Sequence, residues 1–167
     1  MVIGVDVDGV ITPARLWNPS LRLPLPWWFF IILIPLVFIS KPKKKIVEEL
    51  RNAQKEGWAI IVISARPKQV EGLTKIYLRF YKIPFAKVTC VGFGKGTGKR
   101  KFEAAKRENV VIFVDDSGNI VSFFLENGVR ATNTLKGATC LGEVAPFRLK
   151  NLRNNDIYYN NGYLVQW

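Results

Sequence analysis

The sequence predicts an α/β fold, a Rossmann-like doubly wound parallel sheet, and three observations carry that reading. Apolar runs of strand length recur along the chain, each is followed by a stretch of helical periodicity, and the runs are apolar almost throughout, as strands covered on both faces must be. With 167 residues, 49% of them hydrophobic, the chain can bury one catalytic domain's core and does not resemble a disordered segment.

The first strand runs from Val2 to Val7 and ends in Asp6-Val7-Asp8-Gly9, a tight turn that leaves carboxylates at the strand's C-terminal end. Between Pro42 and Glu56, Ile46, Val47, Leu50 and Ala53 recur at helical spacing, and Gly57 stops the helix. Trp58 to Ile63 reads as a central strand. Pro67 opens a second helix, with Val70, Leu73, Ile76, Tyr77 and Phe80 expected on one stripe. Ala86 to Val91 is the third strand, Lys99 to Glu108 the third helix, and Val110 to Val114 a buried strand ending in Asp115-Asp116. A short helix through Phe123 and Leu125 then leads to a strand near Val129 to Ala131. Repeated strand-helix order implies right-handed crossovers. Finally, Asn160-Asn161-Gly162 between two aromatic and β-branched runs signals an appended hairpin. Residues 1–135 are thus expected to form the catalytic domain, with an insert at 12–40, and residues 136–167 an extension ending in that hairpin.

The chain has no histidine, and Cys90 and Cys140 lack metal-ligand spacing, which argues against zinc chemistry and histidine-based triads. Basic residues outnumber acidic ones 25 to 13, and the stretch from Arg66 to Arg107 holds twelve of the former against Glu71 and Glu103. Such a surface attracts nucleic acid, anionic lipid or a phosphorylated substrate, or is simply a solvated face. The loop from Gly92 to Lys99 lacks the spacing of a nucleotide phosphate loop.

Ligands of open parallel sheets bind beyond the carboxyl ends of the strands, where this reading places Asp6, Asp8, Ser64, Asp115 and Asp116. Carboxylates gathered there repel one another unless a cation joins them, and oxygen-only ligation favours Mg²⁺. Taken singly, Asp115-Asp116 would read as a solvated turn and Ser64 as a helix cap.

Val5-Asp6-Val7-Asp8-Gly9-Val10, Ile63-Ser64-Ala65-Arg66-Pro67, a downstream lysine and Val114-Asp115-Asp116-Ser117 together resemble, in order and in strand context, the four motifs of the haloacid dehalogenase superfamily. The resemblance covers roughly Met1 to Thr132. It implies a phosphatase in which Asp6 attacks phosphorus and Asp8 protonates the leaving oxygen and later activates water. Ser64 would bind a phosphoryl oxygen, with Ala65, Arg66 and Lys99 also near the substrate, and a lysine would stabilise transferring charge. Magnesium would join Asp6, the main-chain carbonyl of Asp8, Asp115 and Asp116. Lys95, Lys99 and Lys101 all compete for the lysine role; the fourteen-residue spacing of Lys101 to Asp115 resembles that of family members with a Lys-helix-strand-Asp-Asp arrangement, which favours Lys101.

The insert is the least familiar part. Leu23 to Ile39 is seventeen residues without a charge, broken by Pro24, Pro26 and Pro35, opened by Trp27, Trp28, Phe29 and Phe30, and followed by Lys41, Lys43, Lys44 and Lys45. Aromatics and lysines beside an apolar run are interface anchors. The nucleophile strand precedes it, so it is not read as a signal peptide; a full span would divide the site between two sides of a bilayer. A monotopic or re-entrant segment remains, at residues 23–45, and places a cytoplasmic protein at the membrane's inner face. The alternative is a hydrophobic cap or dimer contact. The leading expectation is therefore a phosphomonoesterase acting on a lipid or membrane-precursor phosphate. A soluble nucleotidase or polynucleotide-end phosphatase is the second reading, and a non-enzymatic membrane or interaction module on a degenerate fold the third.

Overall fold

A computed structural model describes residues 1–13 and 40–132, with the strands Ile157–Asn160 and Tyr163–Gln166. The apolar run 23–39 and residues 133–156 lie outside the described residues. The main body is β1 (Val2–Val5), α1 (Lys44–Lys55), β2 (Ala59–Ser64), a 3₁₀ turn (Lys68–Val70), α2 (Glu71–Phe80), β3 (Lys87–Cys90), α3 (Thr97–Arg107), β4 (Val110–Val114), α4 (Gly118–Glu126) and β5 (Arg130–Thr132). The five strands pair in parallel in the order β3-β2-β1-β4-β5. The chain winds outward from β1 to β2 and β3, then returns to lay β4 against the other side of β1. That reversal opens a crevice beyond the C-terminal ends of β1 and β4.

Because side chains alternate across a strand, each central strand divides its apolar residues between two layers. Ile3 and Val5, Ile60 and Val62, and Ile112 and Val114 pack with Ile46, Val47, Leu50 and Ala53 of α1 and Tyr77 and Leu78 of α2. Ile61, Ile63 and Phe113 face the opposite way, against Ala104 and Ala105 of α3 and Phe124 of α4. Gly4 falls in this second layer, where the Phe113 ring covers it so closely that a Cβ would lie 2.5 Å from Cδ2. Phe113 in turn stacks on Phe124, with centroids 4.4 Å apart.

The expected α1 stripe is buried in full. In α2 the buried face is rotated from expectation: Thr74, Tyr77 and Leu78 are inside, while Ile76 and Phe80 are 56% and 68% exposed. Thr74 tolerates the interior because its hydroxyl donates to the Val70 carbonyl at 2.9 Å and accepts from Arg66 at 3.3 Å. The helix begins with a 3₁₀ turn rather than at Pro67, and α3 starts at Thr97, two residues before the expected Lys99. The hairpin forms as expected, antiparallel, with Asn160 opposite Tyr163.

Candidate active site

Asp6 follows β1 directly, and its N–H still donates to the Val114 carbonyl at 2.9 Å, so the sheet holds the backbone of the first acidic residue. Beyond it the chain closes a turn: Gly9 N–H donates to Thr12 O and Thr12 N–H to Val7 O. Gly9 has φ +92°, and a Cβ there would lie 2.1 Å from Asp116 Oδ2. Only glycine meets both demands, which explains the Asp-x-Asp-Gly pattern physically.

From β4, Asp115 N–H donates to Thr132 O, and Asp115 Oδ1 accepts from Ser117 N–H at 2.9 Å. Lys101, one helix away, reaches between the two strand ends: its Nζ lies 2.7 Å from Asp6 Oδ2 and 2.7 Å from Asp115 Oδ2. Asp6, Asp115, Asp116 and Lys101 are all buried. Burial pushes the Asp6 carboxyl up to about 7; Lys101 opposes that rise, while Asp115 and Asp8 add to it. Asp115 is raised for the same first reason, again against Lys101. Burial works to lower the Lys101 pKa, but the two carboxylates outweigh it and hold the ammonium above the ordinary lysine range.

Asp8 points to a different partner. Arg66 Nε donates to Asp8 Oδ2 at 2.8 Å and Arg66 Nη2 to Oδ1 at 2.8 Å, a bidentate fork between residues 58 positions apart. Burial alone would lower the Arg66 pKa, and the Asp8 bond and charge reverse the sign. The guanidinium also donates to Thr74 and lies 5.9 Å from the Tyr77 ring centre.

Asp6, Asp8, Ala65, Lys101, Asp115 and Asp116 line a crevice of about 320 Å³, walled also by Phe93, Gly94, Gly96, Thr97, Gly98, Ser117 and Ile120. The structure therefore brings together the acidic residues and Lys101 anticipated from sequence. Lys101, rather than exposed Lys95 or Lys99, is the lysine inside. Ser64 and Arg66 are fully covered and not among the lining residues; Ser64 Oγ accepts the Arg66 N–H at 3.3 Å. Lys99 is exposed and outside that lining.

One carboxylate oxygen each from Asp6, Asp115 and Asp116 lies within 4.8 Å of the others. Around an octahedral Mg²⁺, with bonds of about 2.0–2.1 Å, neighbouring ligand oxygens are about 3 Å apart and opposite ones about 4.2 Å, so an inward movement of at most about 1 Å by each oxygen would let these three share one ion. The donors are hard oxygens from buried groups, which suits magnesium. The Asp8 side chain is not part of that cluster; it is held by Arg66.

No protein-family model matches the chain, and no curated protein matches it. Solved structures do. A chain in the structure of the Pnkp1/Rnl/Hen1 RNA repair complex superposes with a TM-score of 0.60 at 16% identity, over 80% of this chain and 42% of that one. A second structure of the Pnkp1/Rnl/Hen1 complex gives 0.59 at 16% identity, over 79% and 44%. The D,D-heptose 1.7-bisphosphate phosphatase from B. bronchiseptica, complexed with magnesium and phosphate, gives 0.52 at 11% identity, over 78% of each chain. This chain thus spans less than half of the repair-complex chains it resembles. The likenesses show a shared fold, and the five-stranded parallel sheet with helices on both faces is the α/β Rossmann-like class expected from the sequence. Among the described residues no helix is long and apolar enough to cross a membrane.

Proposed function

We propose that the protein is a magnesium-dependent phosphomonoester hydrolase that works through an aspartyl-phosphate on Asp6. The observation that carries this is the shared lysine: Lys101 holds Asp6 and Asp115 at 2.7 Å each, beside Asp116, at the topological switch of the sheet. Asp6, Asp115 and Asp116, with the Asp8 carbonyl, would hold Mg²⁺, which when bound supplies positive charge for the phosphoryl oxygens. An oxygen of Asp6 attacks phosphorus in line with the departing ester oxygen, which takes its proton from Asp8. Asp8 then removes a proton from the water that cleaves the acyl phosphate. Arg66 orients Asp8 through its fork in the carboxylate state, and one of the two bonds must open for Asp8 to carry the proton it gives to the leaving oxygen. Lys101 neutralises charge gathering on the phosphoryl group, and Ala65, which lines the crevice at the end of β2, adjoins it, while Ser64 stays beneath and accepts the Arg66 N–H.

Two substrate classes follow from the remaining features. The charge-free stretch at 23–39 and Lys41, Lys43, Lys44 and Lys45 favour a lipid phosphate at an anionic membrane. The basic block from Arg66 to Arg107, and a fold shared with a chain of an RNA repair complex, favour a polynucleotide end. The test is a screen of lipid, nucleotide and sugar phosphates with and without Mg²⁺. Asp6→Asn should abolish turnover, and rapid acid quench should trap phosphate on the wild-type chain but not on the variant. Liposome flotation and salt-dependent oligonucleotide binding separate the two classes. Absence of Mg²⁺-dependent hydrolysis of any ester by the folded protein would overturn the proposal.

A further inference from the structure

The glycine-rich loop between β3 and α3 has an architecture of its own. Gly92, Gly94 and Gly96 take φ of 79°, 99° and 80°, a backbone path closed to most side chains. That path turns successive carbonyls toward one side chain. Arg100, in the first turns of α3, donates from Nε to Val91 O at 2.9 Å and from Nη1 to Lys95 O at 2.9 Å. Its Nη2 reaches Gly92 O at 3.1 Å, Phe93 O at 3.2 Å and Thr97 Oγ1 at 3.1 Å. Thr97 Oγ1 donates onward to Gly94 O at 2.6 Å. Every carbonyl from Val91 to Lys95 is therefore held, four by the guanidinium itself and one through Thr97. A loop this rich in glycine loses much conformational freedom on ordering, and a planar cation with five donors is suited to impose that order.

The loop so held is a wall of the crevice, through Phe93, Gly94 and Gly96, facing Asp6 and Asp8. Phe93 keeps 36% of its surface exposed, and Ile120 lines the same space. A crevice of about 320 Å³ has room for a phosphoryl group and a ring beside it. The exposed charges nearby are cationic: Lys95 on the loop and Lys99 at the start of α3. An exposed aromatic ring on the wall, with Lys95 and Lys99 on the surface outside the lining, suits a leaving group that carries a flat ring in the crevice and further negative charge beyond it, as an oligonucleotide end does, better than an acyl chain.

We propose that Arg100 is a positioning residue which fixes the 91–97 loop as the leaving-group wall, and that Phe93 on this wall selects phosphate esters bearing a nucleobase. The inference rests on the phosphatase reading above and deepens it by naming the substrate class. The test compares thymidine 3′-phosphate with glycerol 2-phosphate, both secondary alkyl esters, of which only the first carries a ring. Phe93→Ala should lower the ratio of kcat/KM for the thymidine ester to that for the glycerol ester about tenfold, the size of one base–aromatic contact. Arg100→Met should lower the same ratio, mainly through KM for the thymidine ester, with partial recovery in Arg100→Lys. Hydrogen exchange of amides 92–98 should quicken at least tenfold in Arg100→Met while β1 and β4 stay protected. Ratios unchanged in both variants would overturn the selectivity, and unchanged loop exchange would overturn the brace. A wild-type protein that hydrolyses neither ester nor any other overturns the phosphatase reading and the selectivity with it; loop exchange still decides the role of Arg100.

Discussion

Replacing Lys101 with Met keeps the length of a buried stem and removes the charge between two carboxylates. With oxygens of Asp6 and Asp115 within 4.8 Å of each other, their repulsion at an effective dielectric of about 20 is roughly 3.5 kcal/mol, in line with the ~3–5 kcal/mol typical of a broken buried pair. For a chain of this size each kcal/mol moves Tm by about 2–4 °C, so Lys101→Met without metal should melt roughly 7–14 °C below wild type. Thermal unfolding in chelator at pH 8, followed by circular dichroism, measures it. The loss should shrink at pH 6, because an acid already raised to about 7 by burial escapes the repulsion by taking a proton. Millimolar Mg²⁺ should recover more of the Tm in the variant than in wild type, since the ion restores positive charge to the same oxygens. A metal-free Tm within 2 °C of wild type at pH 8 would refute the electrostatic account of the site.

Gly9→Ala should cost at least ~1–2 kcal/mol from backbone strain at φ +92° alone, and it should abolish Mg²⁺ binding by calorimetry, because the new Cβ collides with Asp116. Arg66→Lys should retain Mg²⁺ binding but lower kcat about tenfold or more on esters with poor leaving groups, where proton donation matters most, and less on p-nitrophenyl phosphate. The native metal-free protein binds the Asp6 proton more tightly than the unfolded chain does, so this group's contribution to stability falls as pH rises from about 4 through 7. The chelated wild type should accordingly lose more Tm between pH 5 and 8 than Asp6→Asn does, as a parallel set of melting curves will show.

The sheet was legible because Ile60 to Ile63 and Ile112 to Val114 supply both layers from consecutive residues, a pattern that helices do not need. Lys101 was legible only through the family resemblance, whose lysine stands at a similar distance before the Asp-Asp pair; nothing local separates it from Lys95 and Lys99. The α2 stripe was misjudged because hydrophobicity alone favoured Ile76 and Phe80, whereas the interior beside Arg66 called for a hydroxyl at Thr74. Arg66 was anticipated at the substrate; its fork to Asp8 depends on a pairing across 58 residues that no local pattern records. Arg100 carries even less signal, because a basic residue amid Lys95, Lys99 and Lys101 looks solvated until the carbonyls of Val91 to Lys95 turn inward. Cation sites built from main-chain oxygen leave no trace in side-chain composition.

The joint at which the chain leaves for residues 14–39 and comes back is already fastened. Lys43 N–H donates to Ile11 O at 2.9 Å, the Lys43 ammonium to Gly9 O, and Tyr77 Oη to Ser40 O at 2.7 Å. Departure and return thus share a single doorway beside the reactive turn, latched from within. Those three hydrogen bonds set both the point where the chain departs and the point where it rejoins the body, so the geometry of the acidic turn and the spacing of the two ends are fixed together.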